Sequence, residues 1–222
     1  MIPASFIVLD ELLMDNSATD QFNSLSASIL PFVFLAKHDN SSTAVASTFS
    51  NVWSENTGGT GAIKLYLQEI TKLAQESLSS QRWAVKQAAA ITLSDICSSI
   101  GKDITKDQLE VIYPAILSAV GGKSWDGKEK VLEGLVELEG NLKAIPDGRR
   151  TAEVKQIVLR EAKRKNKAYQ AHALKSLGKF AGFQEEDMFE EVEQIISSAM
   201  EGGDEQDKMD IDENAGQPVS SP

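Results

Sequence analysis

Residues 83–97 read WAVKQAAAITLSDIC, and the apolar spacing within them recurs three more times along the chain. Aligning Asp39, Trp83, Trp125 and Lys167 gives steps of 44, 42 and 42 residues. Apolar residues stand six, ten and thirteen positions after each of these anchors, and such offsets share one face of a helix. The twelve residues at these offsets are Val45, Phe49, Val52, Ala89, Leu93, Ile96, Val131, Leu135, Leu138, Ala173, Leu177 and Phe180. The spacing therefore predicts an amphipathic helix after every anchor.

A second apolar face precedes each anchor, at offsets of thirteen, nine and five residues before it. The residues at these offsets are Ser26, Leu30, Phe34, Ile70, Ala74, Leu78, Ile112, Ile116, Val120, Val154, Val158 and Ala162. Two amphipathic helices in a unit of roughly 40 to 47 residues are typical of HEAT and armadillo-type solenoids. The predicted fold is therefore all-α: an α-α superhelix (HEAT/ARM-like solenoid) of about four helix pairs, with a capping helix and a disordered acidic tail.

The helix pattern divides the 222-residue chain into four predicted sections. Residues 1–20 are expected to form a helix and a loop (NSATD, 16–20) at the truncated end of a longer array. Four HEAT-like repeats follow over 21–182, then a capping helix over 183–200 and a disordered acidic tail over 201–222. The individual repeats are expected at 21–56, 60–100, 105–142 and 149–182. The residues expected on the inner face of the capping helix are Met188, Phe189, Val192, Ile195 and Ile196.

Proline and glycine mark two local features of the first half of the chain. Pro31 lies well inside the first predicted helix, 21–37, and should kink it because proline removes a backbone hydrogen bond. Residues 57–61 (TGGTG) predict a turn, since a phosphate-binding loop would need a preceding strand and a Gly-Lys-Ser/Thr ending. The first helix of the second unit is then expected at 62–79.

Charge is distributed unevenly along the chain, whose net charge is -11. Residues 185–222 hold 13 acids and one lysine, so the solenoid itself is close to neutral. That balance does not favour a general nucleic-acid binder. No run of 18 apolar residues is present, so no membrane-spanning helix is expected.

The residues most often used in chemistry are sparse. Cys97 is the single cysteine and falls inside an apolar helix, which predicts a buried thiol in a reducing compartment. His38 and His172 are distant in sequence, with no second ligand near either, so no metal site is expected. No nucleophile, base and orienting residue are grouped, and we expect no catalytic, cofactor-binding or metal-binding residues.

The fourth unit is the basic section of the chain, where eight cations face only Glu153 and Glu161. One interpretation is a docking surface for an acidic partner, the chain's own tail included. The other is a solvated helix face whose C-terminal charges suit the helix dipole. The candidate docking residues are Arg149, Arg150, Lys155, Arg160, Lys163, Arg164, Lys165 and Lys167.

Two lysines in the second and third units occupy a position where HEAT units often carry a basic residue. Lys86 and Lys128 each stand three residues after a tryptophan. Each is expected to bond to an acid or a carbonyl of the next unit.

The particular residues of three segments, as well as the repeat period, resemble one known family. Residues 49–70 read FSNVWSENTGGTGAIKLYLQEI, with Val-Trp-x-Glu-Asn leading through a glycine turn into Leu-Tyr-Leu-x-Glu-Ile. This segment, SQRWAVKQAAAITLSDI (80–96) and GGKSWDGKEKVLEGL (121–135) resemble the extreme C-terminal repeats of the very large HEAT-repeat proteasome adaptor and scaffold family. The resemblance covers residues 22–182 and leaves out the acidic tail.

This resemblance implies a non-catalytic scaffold that binds the proteasome and links or stabilises its core particle and regulatory particle. It further implies a role in proteasome assembly quality control, in the cytoplasm and nucleus. The expected partners are subunits of the proteasome core and regulatory particles. We expect the chain to bind no nucleic acid, small-molecule substrate or cofactor, and not to insert into a membrane.

Two alternatives remain open at the level of sequence. One is an importin-like nuclear transport HEAT protein, and the other is a regulatory scaffold subunit of a phosphatase. An importin would carry a ladder of asparagine and tryptophan on its second helices. In their place this chain has Lys86, Lys128, Lys130, Lys175 and Lys179.

Overall fold

The computed structural model describes the backbone of residues 16–201 and the side chains of residues 25–198 apart from residue 102. Within this part of the chain there are ten α-helices, two short 3-10 helices and no strand, which confirms the predicted all-α fold. The 3-10 helices are Gly101–Asp103 and Leu142–Ala144. The α-helices are α1 Asn16–Ala36, α2 Thr43–Asn56, α3 Thr60–Leu65, α4 Leu67–Leu78, α5 Trp83–Ile100, α6 Lys106–Val120, α7 Lys128–Asn141, α8 Gly148–Ala162, α9 Lys167–Gln184 and α10 Phe189–Glu201.

The helices stack as consecutive pairs. The first pair is α1 with α2, the second is α3 and α4 with α5, the third is α6 with α7, and the fourth is α8 with α9. First helices contact first helices (α1 with α4, α4 with α6), and second helices contact second helices (α5 with α7, α7 with α9). Contacts between neighbouring pairs build one continuous apolar core, as in a solenoid.

The periodic positions of the sequence form this core. Of the 24 apolar-face positions, 21 are buried. Val45 and Leu78 are partly exposed yet pack against the core, and Ser26 is also partly exposed. The two-helix period therefore predicted which side chains are buried between the pairs.

The beginning of α1 differs from prediction. The loop expected at 16–20 is wrong, because α1 already starts at Asn16. The segment contains neither glycine nor proline, and polar residues such as Asn, Ser and Thr cost only about 0.7 kcal/mol each in a helix. The helix runs on through Pro31 to Ala36. The helix predicted for the first fifteen residues lies outside the described part of the chain.

The first helix of the second pair is divided, contrary to the single helix expected at 62–79. It begins earlier, after a turn in which Gly59 has φ 64°, a backbone conformation that glycine adopts readily. It then bends at Tyr66, whose ψ of 22° separates α3 from α4. Tyrosine is a weak helix former, and the bend occurs where the Tyr66 hydroxyl lies 3.3 Å from the Ser26 hydroxyl of α1.

The inner face of α10 is narrower than predicted. Met188 and Ile195 are buried, and Val192 packs against the core. Phe189 and Ile196, in contrast, are 68% and 45% exposed. Each follows an inward residue by one position and is therefore rotated by about 100° around the helix axis.

Candidate protein-docking surface

The turns inside the second, third and fourth pairs lie side by side along one border of the stack. They connect α4 to α5, α6 to α7, and α8 to α9. We call this border, residues 79–86, 121–127 and 160–167, the turn edge.

Direct contacts join the three turns. The Lys86 Nζ lies 4.7 Å from the centre of the Trp125 ring, which connects the second pair to the third. The Arg164 guanidinium donates to the Gly122 carbonyl at 2.6 Å, which connects the fourth pair to the third. The turn edge is therefore one continuous surface.

A buried ion pair lies beneath the turn edge at the junction of the third and fourth pairs. The Lys128 Nζ lies 3.2 Å from a Glu161 oxygen, and both side chains are fully buried. Lys128 also donates to the Gly122 carbonyl at 3.0 Å. Glu161 further accepts from the Tyr169 hydroxyl at 2.9 Å. The prediction for Lys128 is confirmed, because its acid partner belongs to the next pair.

The surroundings shift the pKa of both members of this pair. Burial lowers the pKa of Lys128, and the Glu161 charge only partly opposes it. Burial raises the pKa of Glu161, but hydrogen bonds from Arg164 and Tyr169 and the Lys128 charge outweigh it and lower that pKa. Glu161 is thus held as a carboxylate.

Lys86 makes a different kind of contact with the next pair. Its Nζ lies between two indole rings, 5.3 Å from the centre of Trp83 and 4.7 Å from that of Trp125. The contact to the next pair is therefore an aromatic ring rather than the expected acid or carbonyl. Trp83 remains 52% exposed. A cavity of about 250 Å³ opens beside the Trp125 ring, lined also by Leu78, Lys86 and Ala115 among others.

Among the predicted docking residues, Arg150, Lys155, Arg160 and Arg164 pair with acids of the fold. Arg150 is only 7% exposed. It donates to Glu139 at 2.8 Å and to the Ile145 carbonyl at 2.7 Å. Lys155 pairs with Glu186 and, at 3.3 Å, with Glu191, and these hydrogen bonds raise its pKa.

The other two bound residues converge on Glu161. Arg160 donates to it at 3.0 Å and Arg164 at 3.1 Å. The expectation that the eight cations face only Glu153 and Glu161 is wrong, because the fold brings in acids that are distant in sequence. These acids are Glu139, Glu186 and Glu191.

The remaining four predicted residues are exposed, and they do not form one cluster. Lys163, Lys165 and Lys167 follow one another on the turn edge. Arg149 lies near the start of α8. It is separated from Lys163 by fourteen residues, or about 21 Å of helix. The candidate docking surface is therefore limited to the turn edge.

Sequence reasoning missed several residues of this surface. Trp83, Lys86 and Trp125 lie on the turn edge, where Arg82 and Lys123 are also exposed. The available signal was the tryptophan repeated after 42 residues, followed both times by lysine at the third position. Both lysines are predicted to make contacts between units, and none of the predicted docking residues lies in these two units.

The first two pairs are joined by a separate ionic cluster. Lys37 lies 2.9 Å and His38 lies 3.1 Å from Asp95, which connects the end of α1 to α5. Burial raises the pKa of Asp95, but His38 and Lys37 outweigh this effect and hold the pKa well below its ordinary value.

The remaining reactive residues show no constellation in the described part of the chain. Cys97 is fully buried, and burial together with the Glu137 charge raises the pKa of its thiol. Among the described side chains of residues 25–198, no three of His, Cys, Asp or Glu are placed to hold a metal ion. None of the helices described there has the length and apolar character needed to cross a membrane.

Comparison with known proteins agrees with the architecture. A family model described as ECM29, C-terminal ARM-like repeats, matches residues 146–221. This match extends through the acidic end of the chain, beyond residues 22–182, on which the sequence resemblance rests. No solved structure matches the chain.

Two much longer relatives carry the same family name. Over 176 residues the chain is 32% identical to the proteasome component ecm29 of Schizosaccharomyces pombe. This match covers 78% of this chain and 10% of the relative. Over 182 residues it is 31% identical to the proteasome adapter and scaffold protein ECM29 of Homo sapiens. This match covers 76% of this chain and 10% of the relative. The chain thus spans about a tenth of the length of these relatives. Together with the stacked helix pairs, these similarities show that the chain belongs to the ECM29 family and represents its C-terminal ARM-like repeats.

Proposed function

We propose that the chain is part of a non-catalytic scaffold that binds the proteasome and links or stabilises its core particle and regulatory particle. The observation that carries this proposal is the similarity to a human protein described as a proteasome adapter and scaffold. A role in proteasome assembly quality control, in the cytoplasm and the nucleus, belongs to the same proposal.

The turn edge is the surface on this chain that best suits a protein partner. It combines exposed cations with the half-exposed ring of Trp83. Tryptophan and arginine are enriched among the residues that dominate binding energy in protein interfaces. The favoured partner surface is therefore acidic with an apolar centre.

Affinity purification tests this proposal. The tagged chain is expressed in cells, and the proteins captured with it are identified by mass spectrometry. We expect core and regulatory particle subunits. Nuclear-transport components or a phosphatase catalytic subunit in their place would contradict the proposal.

A pair of matched variants tests the surface. Lys163→Glu with Lys167→Glu reverses charge on the turn edge, whereas Lys72→Glu with Lys106→Glu reverses two exposed lysines elsewhere. We expect only the first variant to lose several-fold of the captured proteasome. Equal capture by both would contradict the turn edge as the docking surface. Imaging a fluorescent fusion tests the localisation, and exclusion from the nucleus or from the cytoplasm would refute it.

A further inference from the structure

We propose that the cavity between the second and third helix pairs binds an acidic peptide segment of a partner protein, whose carboxylate pairs with Lys86. The inference rests on the proposed docking role of the turn edge. It goes further by naming one site on that edge and the chemistry of its ligand. The repeat supplies the reason, because the next junction of the stack holds a carboxylate at the equivalent place.

The two junctions correspond position by position. Lys86 and Lys128 occupy the same position of consecutive units, three residues after the anchor. Lys128 binds Glu161 of the following unit at 3.2 Å. At the position of Glu161 one unit earlier, the chain has Ala119. Lys86 therefore has the place of an ion-pairing lysine, while the place of its acid holds a methyl group.

A cavity lies where this acid is missing. Its volume is about 250 Å³, and both Lys86 and Ala119 line it. At the next junction, three further side chains surround the carboxylate of Glu161 and close the site. The side chains at the equivalent positions of the third unit are smaller. They are Ser118, Gly122 and Gly127, in place of Arg160, Arg164 and Tyr169.

The charge on Lys86 is available to a ligand. In the part of the chain that the structure describes, its Nζ contacts two indole rings and no carboxylate. The described residues that line the cavity include no acid. Asp126, the acid next to Trp125, accepts a hydrogen bond from the Gln87 amide at 2.8 Å. A carboxylate from a partner would thus meet an unpaired ammonium group.

The helix ends at the cavity do not cancel this positive charge. α4 and α6 both end there, and each C-terminus carries about half a negative charge. The full charge of Lys86 offsets the two together. Arg82 and Lys123, exposed on the adjoining turns, add two more positive charges. The surroundings of the cavity therefore favour an anion.

The size and position of the cavity favour a side chain of a protein partner. Pockets for small molecules usually measure about 300–1,000 Å³, and this cavity is smaller. It opens beside the Trp125 ring, and Trp83, the second ring at Lys86, is 52% exposed. An acidic residue with a large apolar neighbour can therefore place its carboxylate on Lys86 and the neighbour against a ring.

Polar side chains at the cavity suit an extended peptide. Three of the lining residues are exposed and can hydrogen-bond to the backbone of such a segment. They are Gln75, Ser79 and Ser118.

Peptide display tests the chemistry of the ligand. Random heptapeptides are selected on the whole chain at low salt, and peptides that also bind Lys86→Gln are removed. We expect enrichment of Asp or Glu next to a large apolar residue. A selection without enrichment, or with enriched sequences that lack acids, would overturn the proposal.

Fluorescence anisotropy then measures the contact with Lys86. The selected peptide is labelled and compared with a matched peptide whose acid is replaced by the corresponding amide. Losing the carboxylate should weaken binding to the parent chain about tenfold and should leave binding to Lys86→Gln unchanged. Equal weakening with both chains would place the carboxylate elsewhere and overturn the proposal.

Ala119→Glu supplies the missing acid from within the chain. Its carboxylate should pair with Lys86 and reduce the affinity for the selected peptide about tenfold or more. Ser54→Glu adds the same charge at an exposed position of α2 and should preserve the affinity. Undiminished binding by Ala119→Glu would overturn the proposal. Circular dichroism checks that the variants keep their helices, and the matched peptides decide the question if Ala119→Glu does not fold.

Sedimentation distinguishes a partner from a second copy of the chain. A dimer that dissociates in Lys86→Gln would show that another copy occupies the cavity, and it would overturn the proposal. None of these measurements involves the proteasome. A chain that binds the selected peptides but captures no proteasome would contradict the proposed function alone, and the reverse result would contradict this inference alone.

Discussion

The junction between the third and fourth helix pairs and the junction between the first and second are held by different interactions. Between the third and fourth, Lys128 and Glu161 form an ion pair with no exposure at all. Between the first and second, Lys37 meets Asp95 with side chains 17% and 26% exposed. A buried charge that loses its partner costs far more than one near the surface. The same helical spacing therefore supports junctions of unequal sensitivity.

The residue three positions after each anchor illustrates why the junctions differ. Ser42 caps α2 by accepting from the Val45 amide at 3.4 Å. Lys86 lies between two tryptophan rings, whereas Lys128 enters the buried ion pair. Gln170 donates to the Ala162 carbonyl at 3.0 Å. Equivalent positions in the repeat thus perform four different tasks, because their neighbours differ.

The largest effect is expected from breaking the buried pair on one side. Glu161→Gln leaves Lys128 charged and buried without a carboxylate, which should lower the free energy of unfolding by about 3–5 kcal/mol. Urea denaturation followed by circular dichroism measures the loss. The matched control is Asp95→Asn at the other junction. A smaller loss for Glu161→Gln than for Asp95→Asn would refute the difference between the junctions.

The contact between the second and third pairs allows a test of steric closeness. A Cβ added at Gly134 of α7 would lie 2.8 Å from the Ser94 Cα of α5. Gly134→Ala should therefore destabilise the chain by about 1–3 kcal/mol, because the two backbones would have to separate. Gly178→Ala in α9 is the control, since no atom lies within 4 Å of its added Cβ. That variant should gain about 0.5–1 kcal/mol from better helix propensity, and equal melting temperatures of the two would contradict the close approach.

The ionic cluster of the first junction predicts a pH dependence. The pKa of Asp95 lies below its ordinary value of 3.8, so its stabilising contribution is complete above that pH and declines as the pH falls below it. At pH 7 Asp95→Asn should cost about 1 kcal/mol. Melting curves of parent and variant should converge as the pH falls below 3.8. A constant difference down to pH 2 would show that Asp95 is not held by charge.

The smallest effect is expected at Lys86. Lys86→Gln removes the cation between Trp83 and Trp125, which should cost about 0.5–1 kcal/mol. The variant should also change the tryptophan emission, since two of the three tryptophans lose a charged neighbour. Lys72→Gln provides the comparison at an exposed lysine. An unchanged emission spectrum would contradict the placement of Lys86 between the rings.

Sequence periodicity predicted burial well and contacts poorly. Leu93, Leu135 and Leu177 lie at one offset after successive anchors, and all three are fully buried. Periodicity contains this information because burial depends on which face of a helix a residue occupies. The bend at Tyr66 escaped prediction because a contact with α1, distant in sequence, accompanies it.

The candidate site was predicted only in part for the same reason. Arg150 and Lys155 read as free cations because their partners, Glu139 and Glu186, lie on other elements of the fold. Phe189 and Ile196 read as inward-facing because a one-residue rotation on a short helix cannot be resolved from apolar composition. Only the stack of helices brings the turns of different pairs together into one edge.

A double-mutant cycle at the two junctions tests the central claim most directly. Lys128→Met, Glu161→Gln and their combination are compared in urea with Lys37→Met, Asp95→Asn and their combination. We predict a coupling free energy of about 2 kcal/mol or more for the Lys128–Glu161 pair and less than about 1 kcal/mol for the Lys37–Asp95 pair. Equal coupling at both junctions would contradict the claim that one spacing supports junctions of different chemistry.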